Sequence, residues 1–272
     1  MIKIALRTLS LSAVVAIVIV SIILVGCVFL LSQFPSDKEI AGCIVTKLYQ
    51  INLCPSNDNY VRISKISENL QKAVVLSEDS AFFAHHGFDF QEMENSFKQN
   101  LEKGKFARGG STITQQLAKN LFLTKEKTLK RKILEALITM RIEKVLKKKD
   151  ILEKYLNVVQ FGKDLFGIKA ASEFYFNKLP GSLTVVESAF LAFLLPSPEN
   201  YSKSFFQGKL TPFAKKRLAQ IVDRLYDYQK ISDDQYLVAR TELDHFMNGE
   251  KHSSDLDFDS IQEESIDPDL EI

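Results

Sequence analysis

The chain has 272 residues, 46% of them hydrophobic and 25% charged, and its 35 Lys and Arg nearly balance 34 Asp and Glu for a formal net charge of +1. That length suits one large domain or two small ones, and with so even a balance the global charge points to no class of partner. Local charge is uneven: residues 119–149 are rich in Lys and Arg, whereas the tail after Ser253 has neither.

The first feature is an apolar run from Leu9 to Leu31, interrupted by Ser10, Ser12, Ser21 and Gly26. As a helix it would be roughly 34 Å long, enough for a bilayer core of about 30 Å. Lys3 and Arg7 precede it, so the positive-inside rule keeps residues 1–8 in the cytoplasm and places everything after Leu31 outside. The rival is a cleaved leader, because Leu24-Val25-Gly26-Cys27 resembles a lipobox whose Cys27 would be acylated. The apolar run continues through Leu31, which favours the uncleaved anchor at 9–31. A linker at 32–62 follows, and its Cys43 and Cys54 can form a disulfide outside the cytoplasm or stand as two free thiols.

Helical signals dominate from Ile63 to residue 248, taken as one domain. Leu152, Tyr155, Leu156 and Val159 recur at helical spacing, with Asp150 as a candidate cap and Gly162 as a stop. Thr184 with Glu187, and Ser232 with Gln235, form capping boxes, and Thr211-Pro212 is an N-cap with Pro at the first helical position. Strand candidates are short, chiefly Ile44–Leu48 and Tyr60–Ile63. The fold class is mainly α, preceded by one transmembrane helix. The segment 249–272 is acidic and poor in large apolar residues, and disorder is expected there.

The chemistry concentrates between Glu78 and Glu135. Glu78-Asp79 ends an apolar stretch, where desolvation can raise a carboxyl pKa toward that of a general base; a surface pair capping a loop is the plainer alternative. Next, Arg108-Gly109-Gly110-Ser111-Thr112 leads into a helix over Ile113–Phe122, with Thr112 and Gln115 as a capping box and Lys119 and Asn120 two turns along. A helix N-terminus is an anion site. Gly104-Lys105 is followed by Phe106, so no Walker loop is present, which disfavours a nucleotide-triphosphate enzyme. Glu135 points to the apolar side of a helix over Leu129–Leu146 with Arg131 and Lys132 one turn back, which fits either a buried ion pair or a catalytic acid. Two carboxylates separated by cations suggest glycosyl transfer onto a hydroxyl, with Lys119, Lys127, Arg131 and Lys132 on a phosphate leaving group.

These residues resemble glycosyltransferase family 51, the peptidoglycan glycosyltransferases, and within it the monofunctional biosynthetic transglycosylases. The same motifs occur in the glycosyltransferase domain of class A penicillin-binding proteins. The family's E-D-x-x-F-x-x-H-x-G-x-D is met by Glu78, Asp79, Phe82, His85, Gly87 and Asp89. G-G-S-T-I-T-Q-Q-L-x-K-N is met in full from Gly109 to Asn120, including Ser111, Gln115 and Gln116, and R-K-x-x-E by Arg131, Lys132 and Glu135, with Glu143 matching the acid that ends that motif. The resemblance runs from about Ile63 to Tyr201.

It implies a lysozyme-like, two-lobed helical domain beside the inner membrane and lipid II, a polyprenyl-pyrophosphate-linked disaccharide-pentapeptide, as substrate. Glu78 would take the proton of the acceptor 4-hydroxyl, and Glu135 would help the departing pyrophosphate, with Lys119 and Lys127 as phosphate contacts. Asp79, Phe82, His85, Ser111, Thr112, Gln115, Gln116, Asn120, Arg131 and Lys132 would complete the substrate site. The product would be a β-1,4 glycan strand. No cofactor is required, although a divalent cation, Mg or Mn, assists some members. Implied partners are lipid II, the growing strand, membrane lipid and cell-wall synthesis or division proteins.

Thr139 stands where Ala is usual, Leu134 where a basic residue is common, and Asn177 where Gly is common. No S-x-x-K with a downstream K-T-G occurs, so cross-linking of peptides is not expected. The alternative is a non-catalytic, membrane-tethered module that binds lipid II or cell wall. Nucleic acid is not an expected partner, because the anchor places the basic residues Lys144, Lys147, Lys148 and Lys149 outside, against anionic headgroups. His85 reads as a hydrogen-bonding structural residue rather than a metal ligand. The segment 90–106, mixed aromatic and basic, is expected to form a mobile flap touching the membrane.

Overall fold

The computed structural model describes residues 11–31, 34–104 and 110–247. The expected N-terminal cytoplasmic segment, the lipobox side chain of Cys27, the Arg108-Gly109 pair and the acidic tail lie outside the described residues or side chains.

The apolar run forms one helix, α1 (Leu11–Leu31). Its side chains are described only from residue 13 to residue 26, and Val14 to Val25 among them are largely exposed. Among the described residues no helix is long and apolar enough to cross a membrane.

A short helix, α2 (Asp37–Ala41), is capped by Ser36 and Glu39. An antiparallel hairpin follows, β1 (Ile44–Val45) with β2 (Asn52–Leu53), closed by a Cys43–Cys54 disulfide. The hairpin is fastened inward where the Lys47 N–H donates to the Leu121 carbonyl at 2.9 Å. Tyr60–Ile63 does not form the expected strand. Its backbone partners are side chains of a distant helix: Val61 N–H donates to Asn157 Oδ1 at 2.7 Å, Asn157 Nδ2 to Val61 O at 2.9 Å, and Ile63 N–H to Glu153 Oε2 at 2.7 Å. A 3-10 turn over Ile63–Lys65 comes next.

The body is built from α3 (Glu68–Glu78), α4 (Phe90–Lys103), α5 (Ile113–Phe122), α6 (Leu129–Val145) and α7 (Lys148–Val158). After the two-stranded β3 (Gln160–Gly162) and β4 (Leu165–Phe166) come α8 (Ile168–Phe176), α9 (Val185–Leu194), α10 (Pro198–Tyr201), α11 (Lys203–Phe206), α12 (Pro212–Asp227) and α13 (Asp233–His245). The molecule is mainly helical, as its capping and periodicity foretold. Every residue of α9 is buried, the mark of a helix apolar all round, and α3, α12 and α13 pack against it. A second group forms where α5 packs on α6 and α7.

Two helix limits differ from the sequence reading. α7 starts one turn earlier than Asp150, because the Lys147 carbonyl accepts the N–H groups of Asp150 and Ile151; Asp150 lies in the first turn, where a negative charge favours the helix dipole. Gly162 does not stop that helix but closes β3. The segment expected as a flap is helix α4 up to Lys103, with Phe90, Met93, Phe97 and Leu101 exposed along one face.

Candidate active site

α3 ends at Glu78, and Asp79 is its C-terminal cap. The Asp79 carboxylate is buried, with Oδ1 accepting from His85 Nε2 at 2.8 Å and Oδ2 from the backbone N–H of Ile113 at 2.9 Å. Gly87 N–H donates to His85 Nδ1 at 3.1 Å, so the ring proton given to Asp79 is the one on Nε2. At Gly87 φ is +92°, and a Cβ there would stand 2.9 Å from Thr139 Cγ2. That turn is closed by Thr112, whose hydroxyl donates to the Gly87 carbonyl at 2.7 Å while accepting the Gln115 N–H at 3.2 Å. Gln115 completes the capping box by accepting the Thr112 N–H at 2.9 Å. Phe82 is fully buried, with Lys148 Nζ 4.5 Å from its ring centroid. Asp79, Phe82, His85, Thr112 and Gln115 therefore hold the end of α3 against the start of α5.

Glu78 itself lines a cleft of about 890 Å³. Ser80, Ser111 and Gln116 share its wall, and Phe193, Tyr201, Arg217 and Arg224 stand among the residues opposite. Burial pushes the Glu78 carboxyl above its ordinary range, and the neighbouring Asp79 charge adds to that; a hydrogen bond from Gln116 and the Lys119 charge oppose it without cancelling it. A carboxylate whose pKa is raised in this way holds a proton more strongly than an ordinary Glu, which suits it to act as a base.

Glu135 is 3% exposed on α6. Arg131 Nη1 donates to its Oε2 at 2.5 Å, and Lys132 Nζ bonds its Oε1. These partners answer the cost of burying a charge on an apolar helix face. Lys119, on α5, makes no ion pair within 4 Å among the described residues. Burial lowers its pKa, Glu135 pulls it back up, Arg131 and Lys132 lower it, and Glu78 raises it. One ammonium thus lies in the field of both carboxylates. Asn120 is buried on the same helix, Ser111 is exposed at its entrance, and Lys127 stands exposed between α5 and α6.

The departures in the motifs have local reasons. The Thr139 hydroxyl donates to the Glu135 carbonyl one turn back at 2.7 Å, so its polar group is satisfied inside the helix. Asn177 ends α8 in the left-handed region at φ 50°, a cap that Asn adopts more readily than other residues with a Cβ. Leu134 is buried in the core.

The sequence reading missed two groups. Tyr155 falls in the apolar stripe of its helix, and its hydroxyl donates to Gln116 Oε1 at 3.0 Å. Arg217 and Arg224 lie two turns apart on α12, and the i, i+7 spacing was the signal available for one cationic face on the cleft.

A family model described as Transglycosylase matches residues 46–225. The chain belongs to the transglycosylase family. Over 166 residues it is 41% identical to a biosynthetic peptidoglycan transglycosylase of Nitrosospira multiformis, covering 61% of this chain and 70% of the relative. A protein of the same description from Chromobacterium violaceum is 49% identical over 144 residues, covering 53% and 63%, and one from Nitrosomonas eutropha 44% over 166 residues, covering 61% and 66%. The chain thus spans less than two thirds of the length of the latter two. In this transglycosylase the matched region takes in each site residue named above, from Glu78 to Arg224, and leaves α1 and α13 outside it. Among the described residues no group of three or more His, Cys, Asp or Glu side chains is placed to hold a metal ion.

Proposed function

We propose that the chain polymerises lipid II into β-1,4-linked glycan strands and releases polyprenyl pyrophosphate, with no transpeptidase activity. Family membership makes it a peptidoglycan glycosyltransferase, a hexosyltransferase by reaction class. The observation that carries the finer reading is the buried Glu135 holding Arg131 and Lys132 on α6, packed against α5, whose Gln116 bonds Glu78.

In the proposed reaction Glu78 removes the proton from the acceptor sugar's 4-hydroxyl. The freed oxygen pair attacks the donor's anomeric carbon, and the bond from that carbon to the pyrophosphate oxygen breaks with its electrons going to the leaving group. Attack on the face opposite an α-linked pyrophosphate gives the β linkage. Lys119, Arg131 and Lys132 neutralise the charge that develops on the pyrophosphate, and Glu135 holds the last two cations in place. Lys127 and Ser111, exposed nearby, are assigned to contacts with the same substrate.

We assign the whole apolar run over residues 9–31, longer than the part of α1 whose side chains are described, as a single-pass anchor, and the remainder to the outer face of the inner membrane. Its exposed apolar flanks support this, as does the Cys43–Cys54 disulfide, which suits an oxidising compartment. The exposed Phe90, Met93, Phe97 and Leu101 of α4 supply a membrane-contacting face for that arrangement.

Incubating labelled lipid II in detergent with the wild type and with Glu78→Gln, with and without chelator, tests the reading on a gel. Glycan ladders from the wild type and none from the variant are expected. A folded wild type that binds lipid II and makes no polymer would replace the enzyme with a non-catalytic binding module.

A further inference from the structure

Tyr155 is fully buried on α7, and a buried phenol needs a hydrogen-bond partner. Its partner is Gln116 on α5, whose Oε1 accepts the phenol O–H at 3.0 Å. The other end of that amide, Nε2, donates to Glu78 Oε2 at 2.8 Å. A side-chain amide carries a donor and an acceptor of nearly equal size, so its orientation is decided by the groups it meets. Turned over, Gln116 would set its carbonyl oxygen against Glu78, an arrangement that accommodates only the protonated acid.

Burial, with the charges of Glu78 and Asp79, holds the Tyr155 phenol well above its ordinary pKa. It therefore stays a donor throughout the working pH range. The charges that act on Glu78 are Asp79 on its own segment and Lys119 on α5, and Asp89 and Glu92 at α4 and Arg217, Asp223 and Arg224 on α12 line the same cleft. The amide of Gln116 is the neutral group among these whose sign at Glu78 depends on which way it points.

We propose that Tyr155 is a positioning residue for the transferase reaction, fixing the Gln116 amide so that its N–H, and not its carbonyl oxygen, meets the Glu78 carboxylate. The inference rests on the assignment of Glu78 as the base. Tyr155 acts through Gln116 and touches neither substrate nor reacting atoms.

The test compares wild type, Tyr155→Phe, Gln116→Met and the double variant in the full chain, by lipid II polymerisation across pH and by carbon-13 carboxyl titration of Glu78, which needs no turnover. Tyr155→Phe is expected to move the acid limb and the Glu78 titration to higher pH. On that limb kcat falls by about tenfold, the scale of one lost hydrogen bond to a charge, with KM little changed. Gln116→Met gives the same direction, and adding Tyr155→Phe to it moves neither readout further. An unmoved titration in Tyr155→Phe, or an equal further shift in the Gln116→Met background, overturns the inference. So does an even loss of rate at all pH values with a lowered Tm, the result of a merely structural role. If the wild type forms no polymer at any pH, the transferase reading fails on that readout alone, while the titration still decides whether Tyr155 governs Glu78.

Discussion

The Asp79 carboxylate reaches from the end of α3 to accept the backbone N–H of Ile113, the first residue of α5, at 2.9 Å. Its other oxygen accepts from His85, so both are committed to donors. Asn at this position keeps one acceptor and turns a donor toward another donor. We expect Asp79→Asn to cost about 1.5–3 kcal/mol, seen as a Tm fall of roughly 5–10 °C in a domain of this size. A Tm unchanged within a degree would mean that α3 and α5 are held together by other contacts.

Glu78→Gln separates stability from activity. The folded-state pKa of Glu78 is raised, chiefly by burial, so at neutral pH the fold carries a cost of ionisation that the unfolded chain does not. The native state binds the extra proton between the unfolded and folded pKa values, and stability falls as pH rises through that window. Gln removes the cost, so the variant is expected to melt higher than wild type at pH 7 and to lose that advantage below about pH 4, where the unfolded carboxyl is also protonated. Thermal melts at the two pH values, beside the loss of glycan product, check both halves.

The acid limb of the wild-type pH–rate profile follows from the same shift. Glu78 in its proposed role as base works only when ionised, so polymerisation is expected to fall with decreasing pH at values above the ordinary Glu range of about 4.3. A rate constant down to that value would remove Glu78 from the role of base.

At Glu135, substitution by Gln leaves Arg131 and Lys132 without the carboxylate that aligns them. A drop in kcat of about two orders of magnitude is expected, the scale of losing preorganised charge at a leaving group. A loss confined to KM would reassign the cluster to ground-state binding.

Replacing both Cys43 and Cys54 with Ser opens an eleven-residue separation worth about 3 kcal/mol in chain entropy. The effect should be local. The amides of Thr46 and Lys47, which bond Ile51 O and Leu121 O, are expected to exchange about a hundredfold faster, with the α9 core unchanged.

Much of this architecture was legible because its signals are short-range. The boxes at Thr112/Gln115, Thr184/Glu187 and Ser232/Gln235, and the cap at Thr211, all form as read, since a cap and its partner lie three residues apart. Tyr60–Ile63 failed as a strand because what satisfies its backbone lies on Glu153 and Asn157, about ninety positions away, and no local pattern encodes that. In the site, Glu78 and Glu135 were visible as charges ending or interrupting apolar faces. The link from Tyr155 through Gln116 to Glu78 was not, because helical spacing does not tell which partner a buried Tyr hydroxyl takes.

The short connection after α1 has a mechanical consequence. Three chain steps separate Leu31 from Phe34, so at 3.8 Å each those Cα atoms lie within about 11 Å. Just beyond, α2 packs on α6, and Arg141 Nε meets Asp37 Oδ1 at 2.9 Å, so the folded body begins within a few residues of Phe34. Under the proposed anchoring, the site stays within reach of the bilayer surface. Under that proposal, encounter with the lipid-linked substrate is a lateral search in two dimensions, its rate set by a surface density and not by a concentration in solution.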